Sequence, residues 1–201
     1  MLVAALVLAG LLAQSPNPSG DVVYLSDVIY GISKYQLNYG RMLGLDTTSY
    51  PLWPKPIPGD PISIAGKSYE RGLGAPPGDI EMVLDGAYRA FEAEIGIQTG
   101  DEGIATFRVT VDGEVRFDSG EVKAGDPPRK VSVSLEGAQQ MTLTTHSAAR
   151  ANWADARLFT APGAEAVEAP DMAPFARVVT WDPQRMDGVR VNRLTEFPAE
   201  D

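Results

Sequence analysis

The chain has 201 residues, 44% of them hydrophobic, with 20 glycines, 16 prolines, no cysteine, one histidine and a formal net charge of −10. Disulfides, thiolate chemistry, cysteine metal sites and multi-histidine metal centres are therefore excluded. The acidic balance argues against nucleic acid and anionic membrane as partners, since both require a basic footprint.

The first twenty residues read MLVAALVLAGLLAQSPNPSG. The apolar run at 2–13 is too short to span a bilayer as a helix. With the polar, proline-containing stretch after it, it reads as a secretory signal peptide and short linker, cut after Ala13. No Lys or Arg precedes the run, and Leu11 is bulkier than the small residue usual near such a cut. The expectation is a secreted, periplasmic or cell-surface protein with no integral membrane span after processing.

From residue 21 to 160 the pattern is strand-like. YRAFEAEIGI (88–97) sets Phe91, Ala93, Ile95 and Ile97 against Glu92, Glu94 and Gly96. IATFRVTV (104–111) sets Phe107, Val109 and Val111 against Thr106, Arg108 and Thr110, and Asp112-Gly113 follows at once. Asp-Gly between two alternating runs predicts a hairpin, because both turn positions take positive φ. VSVSLEG (131–137) and MTLTTHS (141–147) alternate in the same way. In NWADARLF (152–159), alternation predicts Ala154, Ala156 and Leu158 on an inward face, with Trp153, Asp155, Arg157 and Phe159 on the other. Strands of this length and spacing, each with one apolar face, predict an all-β sandwich.

Two stretches break the rhythm. Residues 33–60 read as a long irregular insertion carrying Tyr35, Tyr39, Tyr50 and Trp53, with a run of prolines in its second half. That run cannot join a central strand and predicts a stiff extended loop. Residues 161–174 form an Ala/Pro/Glu linker, and the tail to 201 holds one predicted strand, 176–181. The predicted organisation is a leader and linker at 1–20, a sandwich at 21–160 and a linker with tail at 161–201.

Six pieces occur in a telling order: YLSDV (24–28), LGLDTTS (43–49), ISIAGKSYERGLG (62–74), YRAFEAEIGI (88–97), FRVTVDGEVRFDSG (107–120) and NWADARL (152–158). Together they resemble the NPCBM domain, a carbohydrate-binding module associated with family 98 glycoside hydrolases. The resemblance implies a jelly-roll β-sandwich of the galactose-binding type that binds a glycan and performs no reaction. Two positions depart from the family pattern. Ala75-Pro76-Pro77 stands where members carry a histidine after the Gly-Leu-Gly element. Arg150-Ala151-Asn152 stands where an Asp-His pair usually precedes the Trp-Ala-Asp-Ala element. These changes leave open an altered ligand or a lost site.

A sugar site needs a flat ring against the C–H face of a pyranose and polar groups for its hydroxyls. Trp53 and Tyr50 are the candidate rings; Asn38, Asp46, Arg150 and Asn152 are the candidate hydroxyl partners. The competing reading is that the rings only pin the insertion to the sandwich. Trp153, Asp155 and Arg157 are read as structural, Trp153 as a core or inter-strand plug and the other two as partners of neighbouring strands. Glu92 and Glu94 share a strand face with Cα atoms about 6.6 Å apart. That spacing falls within the range of glycosidase carboxyl pairs, but it equally fits a solvated sheet face. His146, the single candidate base, reads as a surface or packed histidine. No cofactor is expected; the resemblance leaves room for a structural calcium, for which Asp101-Glu102 and Asp46 are the candidates, although no compact Asp-rich loop of EF-hand spacing occurs.

The leading expectation is a secreted, non-catalytic glycan-binding module using loop aromatics and polar side chains at one end of the sandwich. The alternatives are an interaction or structural sandwich whose sugar site is altered or lost, and a small glycoside hydrolase.

Overall fold

The computed structural model describes residues 22–27, 32–35, 41–51 and 59–162. The predicted leader, the tail strand 176–181, Asn38 and Trp53 lie outside the described residues. In chain order the strands are β1 (Val22–Tyr24), β2 (Ile32–Tyr35), β3 (Arg41–Met42), β4 (Gly44–Leu45), β5 (Tyr50–Pro51), β6 (Ser63–Ile64), β7 (Lys67–Ser68) and β8 (Gly72–Ala75). They continue as β9 (Gly78–Val83), β10 (Tyr88–Ile97), β11 (Ile104–Val111), β12 (Glu114–Asp118), β13 (Val122–Lys123), β14 (Arg129–Ser134), β15 (Gln140–Ser147) and β16 (Ala151–Thr160).

Two antiparallel sheets form a sandwich. The first runs β14-β10-β16-β8-β4, and β1 also pairs with β16. The second runs β12-β11-β15-β9-β2, and β13 also pairs with β11. The alternation read from the sequence selects the buried faces. Phe91, Ala93, Ile95 and Ile97 of β10 meet Phe107, Val109 and Val111 of β11, with Val131, Val133, Leu135, Met141 and Leu143 in the same core. Asp112 (φ 48°) and Gly113 (φ 83°) take the positive angles that the hairpin requires. The Asp112 carboxylate also accepts the Gln140 N–H at 2.8 Å, which ties this turn to the start of β15.

The structure differs from the sequence reading in two places. The stretch 33–60 is not irregular throughout. Most of β2 lies within it, pairing with β9 at the edge of the second sheet, and β4 joins β8 at the edge of the first. Short β3 and β5 pair with each other.

The second difference lies in β16. Trp153, Ala156 and Leu158 all face the main core, while Ala154 joins Ile62 and Ile64 in a small cluster of its own. Simple alternation would put Trp153 and Ala156 on opposite faces. A β-bulge breaks the parity: the register with β10 steps from Glu92↔Arg157 to Glu94↔Ala154, and Asp155 sits at φ 51°. An extra residue in one strand moves every side chain before it to the opposite face. The bulge falls where β16 changes partner, since β8 pairs with Ala151–Ala154 and β1 with Arg157–Phe159.

Candidate functional site

After Leu45 the chain turns back on itself. Asp46 takes the left-handed conformation at φ 58°, which a short polar side chain tolerates. Its carboxylate accepts the Gly72 N–H at 3.0 Å and Arg71 Nη1 at 3.1 Å. Arg71 also pairs with Asp27 and lies 4.8 Å over the Tyr24 ring. Asp46 therefore latches the turn to the start of β8.

The next residues lie flat on glycines. A Cβ at Gly74 would stand 2.2 Å from Ser49 N, and one at Gly44 would stand 2.3 Å from Thr47 O. Only backbone without a side chain allows that approach. A reciprocal clasp joins Thr48 to Asp60. Thr48 N–H donates to Asp60 O at 2.8 Å, and Asp60 N–H donates to Thr48 Oγ1 at 3.0 Å. Half-buried Tyr50 lies two residues past Thr48, in β5, where it pairs with Met42 of β3.

Arg150, at the entry to β16, closes on the same place. Its Nη1 donates to Asp60 Oδ2 at 2.5 Å. Its Nε and Nη2 donate to the Asp101 carboxylate at 3.0–3.1 Å and 2.6 Å, and its main-chain N–H donates to Asp101 Oδ2 at 3.0 Å. Asp101 first, then Asp60, holds the guanidinium charged against the opposing effect of burial. Ala151 pairs with Ala75 and Leu45 with Leu73, so Arg150 and Asp46 lie toward opposite ends of β8. At about 3.3 Å per residue their offset along β8 is roughly 13 Å.

Asn152 is fully buried, so it has no surface to offer a sugar hydroxyl. Its Nδ2 donates to Gln98 Oε1 at 3.0 Å, while its Oδ1 finds no hydrogen-bond partner among the described residues. Gln98 Oε1 also accepts the Ser63 N–H at 3.0 Å, and Gln98 Nε2 donates to Pro61 O at 3.1 Å. The Asn152–Gln98 pair thus pins the stretch after the clasp to the first sheet.

Trp153 is likewise fully buried. Its ring meets Phe107 edge-on at 5.2 Å and Phe91 at 6.1 Å. Arg157 donates to Asp155 Oδ2 at 2.8 Å and to Glu92 Oε2, its neighbour on β10, at 3.0 Å. Glu94 accepts from Lys67 Nζ at 2.6 Å and from the Tyr69 hydroxyl. Burial opposes its ionisation, but these two donors hold its carboxyl below the ordinary value. Glu92 and Glu94 are thus each engaged by a cationic side chain. His146 is exposed on β15, opposite Thr106. Among the described residues no group of three His, Cys, Asp or Glu side chains converges to hold a metal ion.

Beside Asp101 lies an open cleft of about 460 Å³, lined among others by Thr99, Asp101, Glu102, Ile104 and Lys123. Its size is that of a small-ligand site. Through Asp101 the structure brings Arg150 and the clasp beside this cleft, with Tyr50 two residues along the chain from Thr48, whereas the Asp46 carboxylate is engaged by Arg71 and Gly72 at the start of β8. Asp60 and Gln98 escaped the sequence reading. Each is set by a partner remote in sequence, Arg150 for Asp60 and Asn152 for Gln98, and no local pattern signals such pairs.

The sandwich is similar to several solved structures. One is the CBM51 module of Clostridium perfringens GH95 in complex with methyl-galactose; it is 23% identical, with a TM-score of 0.58, over 69% of this chain and 99% of that one. A second is the CBM51-2 and INT domains of Clostridium perfringens ZmpB in complex with GlcNAc; it is 19% identical, with a TM-score of 0.58, over 69% of this chain and 31% of that one. A third is the tandem CBM51 modules of a family 98 glycoside hydrolase from Streptococcus pneumoniae; it is 21% identical, with a TM-score of 0.56, over 70% of this chain and 47% of that one. No curated protein sequence matches the chain. The sequence profile of the NPCBM/NEW2 domain matches residues 22–159, more than half of the chain, and the chain belongs to that family.

Proposed function

We propose that this protein is a non-catalytic carbohydrate-binding module. It takes a neutral glycan at the end of the sandwich where Tyr50, the Thr48–Asp60 clasp and the cleft beside Asp101 lie. The observation that carries this reading is the NPCBM/NEW2 match across the sandwich, from residue 22 to 159. Similar CBM51 modules have been solved with methyl-galactose and with GlcNAc, which points to a galactose or N-acetylhexosamine unit as the ligand class. Trp53 and Tyr50 supply the stacking rings in this reading. The engagement of Glu92 by Arg157 and of Glu94 by Lys67 argues against a hydrolytic carboxyl pair. The apolar run at 2–13 supports export.

A second reading, an interaction sandwich without a sugar site, draws on a specific observation. Arg150 and Asn152, two of the residues offered for sugar hydroxyls, are committed to internal partners.

A glycan array probed with the purified chain tests both. Binding of galactose- or hexosamine-terminated glycans, with no reducing sugar released, is the expected result. An array without any bound glycan overturns the first reading in favour of the second. Trp53→Ala and Tyr50→Ala should each lose binding while the melting temperature holds within a few degrees.

A further inference from the structure

Arg150 joins three stretches that lie far apart in the chain. Asp60 is 90 residues away and Asp101 is 49 residues away. All three guanidinium nitrogens donate to these two carboxylates, and the side chain is only 26% exposed. Asp101 belongs to the turn between β10 and β11. Asp60 belongs to the clasp with Thr48.

From this we infer that Arg150 is a positioning residue: it holds the Thr48–Asp60 clasp, and with it nearby Tyr50, against the 98–103 turn and does not itself touch the ligand. The inference rests on the glycan-binding reading above and deepens it. An exposed ion pair by itself contributes little, and Asp60 is 67% exposed. The link gains its effect from what Asp60 also does. The main chain of Asp60 gives and takes the two hydrogen bonds of the clasp. Holding its carboxylate therefore also holds Thr48, two residues before Tyr50. A binding side chain whose backbone is already held in place binds more tightly because less ordering remains to be done. The planar guanidinium spans two carboxylates at once, which a lysine ammonium on a flexible stem does not reproduce.

The test uses the full chain with Arg150→Met, Arg150→Lys, Asp60→Asn and the Arg150→Met/Asp60→Asn double variant. Two measurements are made: binding to the best glycan of the array, and hydrogen exchange at the Thr48 and Asp60 amides. In Arg150→Met both amides should exchange about tenfold faster while those of β10 and β15 are unchanged. Glycan affinity should fall about tenfold in Arg150→Met and by a similar factor in Asp60→Asn, and the double variant should fall no further than the worse single one. Arg150→Lys should resemble Arg150→Met. If Asp60→Asn binds as the parent does while Arg150→Met loses binding, Arg150 meets the ligand and the inference fails. Unchanged amide exchange in Arg150→Met also overturns it. A parent protein that binds no glycan defeats the function proposed above, whereas the exchange measurement still decides whether Arg150 holds the clasp.

Discussion

Trp153 Nε1 donates to Thr145 Oγ1 at 2.9 Å across the core, and the two residues belong to different sheets, on β16 and β15. Both are buried, at 0% and 1% exposure, so neither group has water to fall back on. The bond lets a large ring fill the middle of the sandwich without stranding its N–H. Trp153→Ala removes ring and bond together and should cost about 3–5 kcal/mol. Trp153→Phe keeps most of the ring and strands the Thr145 hydroxyl, at a cost of about 1–3 kcal/mol. Urea denaturation of both variants checks the order. An alanine variant as stable as the parent would remove Trp153 from the core.

Gly96 shows why the long central strand β10 carries a glycine. A Cβ there would stand 2.3 Å from Ile64 Cγ2, so the β6 segment packs directly on the β10 backbone. Gly96→Ala should cost about 1–3 kcal/mol by overpacking. Ile64→Ala should cost about 2–5 kcal/mol by opening a void. The double variant should cost clearly less than the two added together, because each change makes room for the other. Strict additivity in thermal melts would refute the contact.

Asp155 carries the bulge that turns Trp153 inward. At φ 51° a β-branched side chain is strained, whereas Asn and Gly are at ease. Asp155→Val should therefore cost about 1–3 kcal/mol. Asp155→Gly should cost less, although it also loses the bond from Arg157. The denaturation midpoints should rank Asn above Gly above Val. Valine ranking first would mean that the bulge is not needed.

Glu94 makes stability depend on acid. Its carboxyl lies below the ordinary value of 4.5, because the Lys67 and Tyr69 hydrogen bonds outweigh the burial that opposes them. A depressed folded-state pKa contributes stability above the ordinary value and loses it as pH falls through the folded-state value. The parent should thus exceed Glu94→Gln in stability by the largest margin above about pH 4.5, and the margin should shrink on acidification. Melting curves between pH 7 and pH 3 test this. A margin that stays constant over that range would show that the Glu94 charge has no part in it.

The proposed end of the sandwich near residue 160 is open to a direct check. Ala161 N–H still donates to Ala87 O at 2.8 Å, so the last bond of β16 lies just past Thr160. A fragment of residues 21–162 should melt cooperatively near the temperature of the full chain. Loss of folding in the fragment would show that the tail completes a sheet.

Much of the sandwich was legible in the amino-acid order. The period-two alternation of 88–97, 104–111 and 141–147 determined which faces are buried, because a strand with one apolar face has only one way to turn. Asp112-Gly113 determined a hairpin by itself, since few residue pairs accept two positive φ angles. The six ordered pieces determined the family.

Other features were decided by the tertiary structure alone. Alternation put Trp153 on the face opposite Ala156, and the bulge at Asp155 reversed it. That bulge arises where β16 exchanges β8 for β1 as its partner, which is a property of the assembled sheet and not of the local sequence. Arg150 and Asn152 looked equally available for a ligand. Folding brought Asp60 and Asp101 to the first and Gln98 to the second, from 90, 49 and 54 residues away. A polar side chain is free or committed according to what the fold places beside it, and local spacing carries no record of such distant partners.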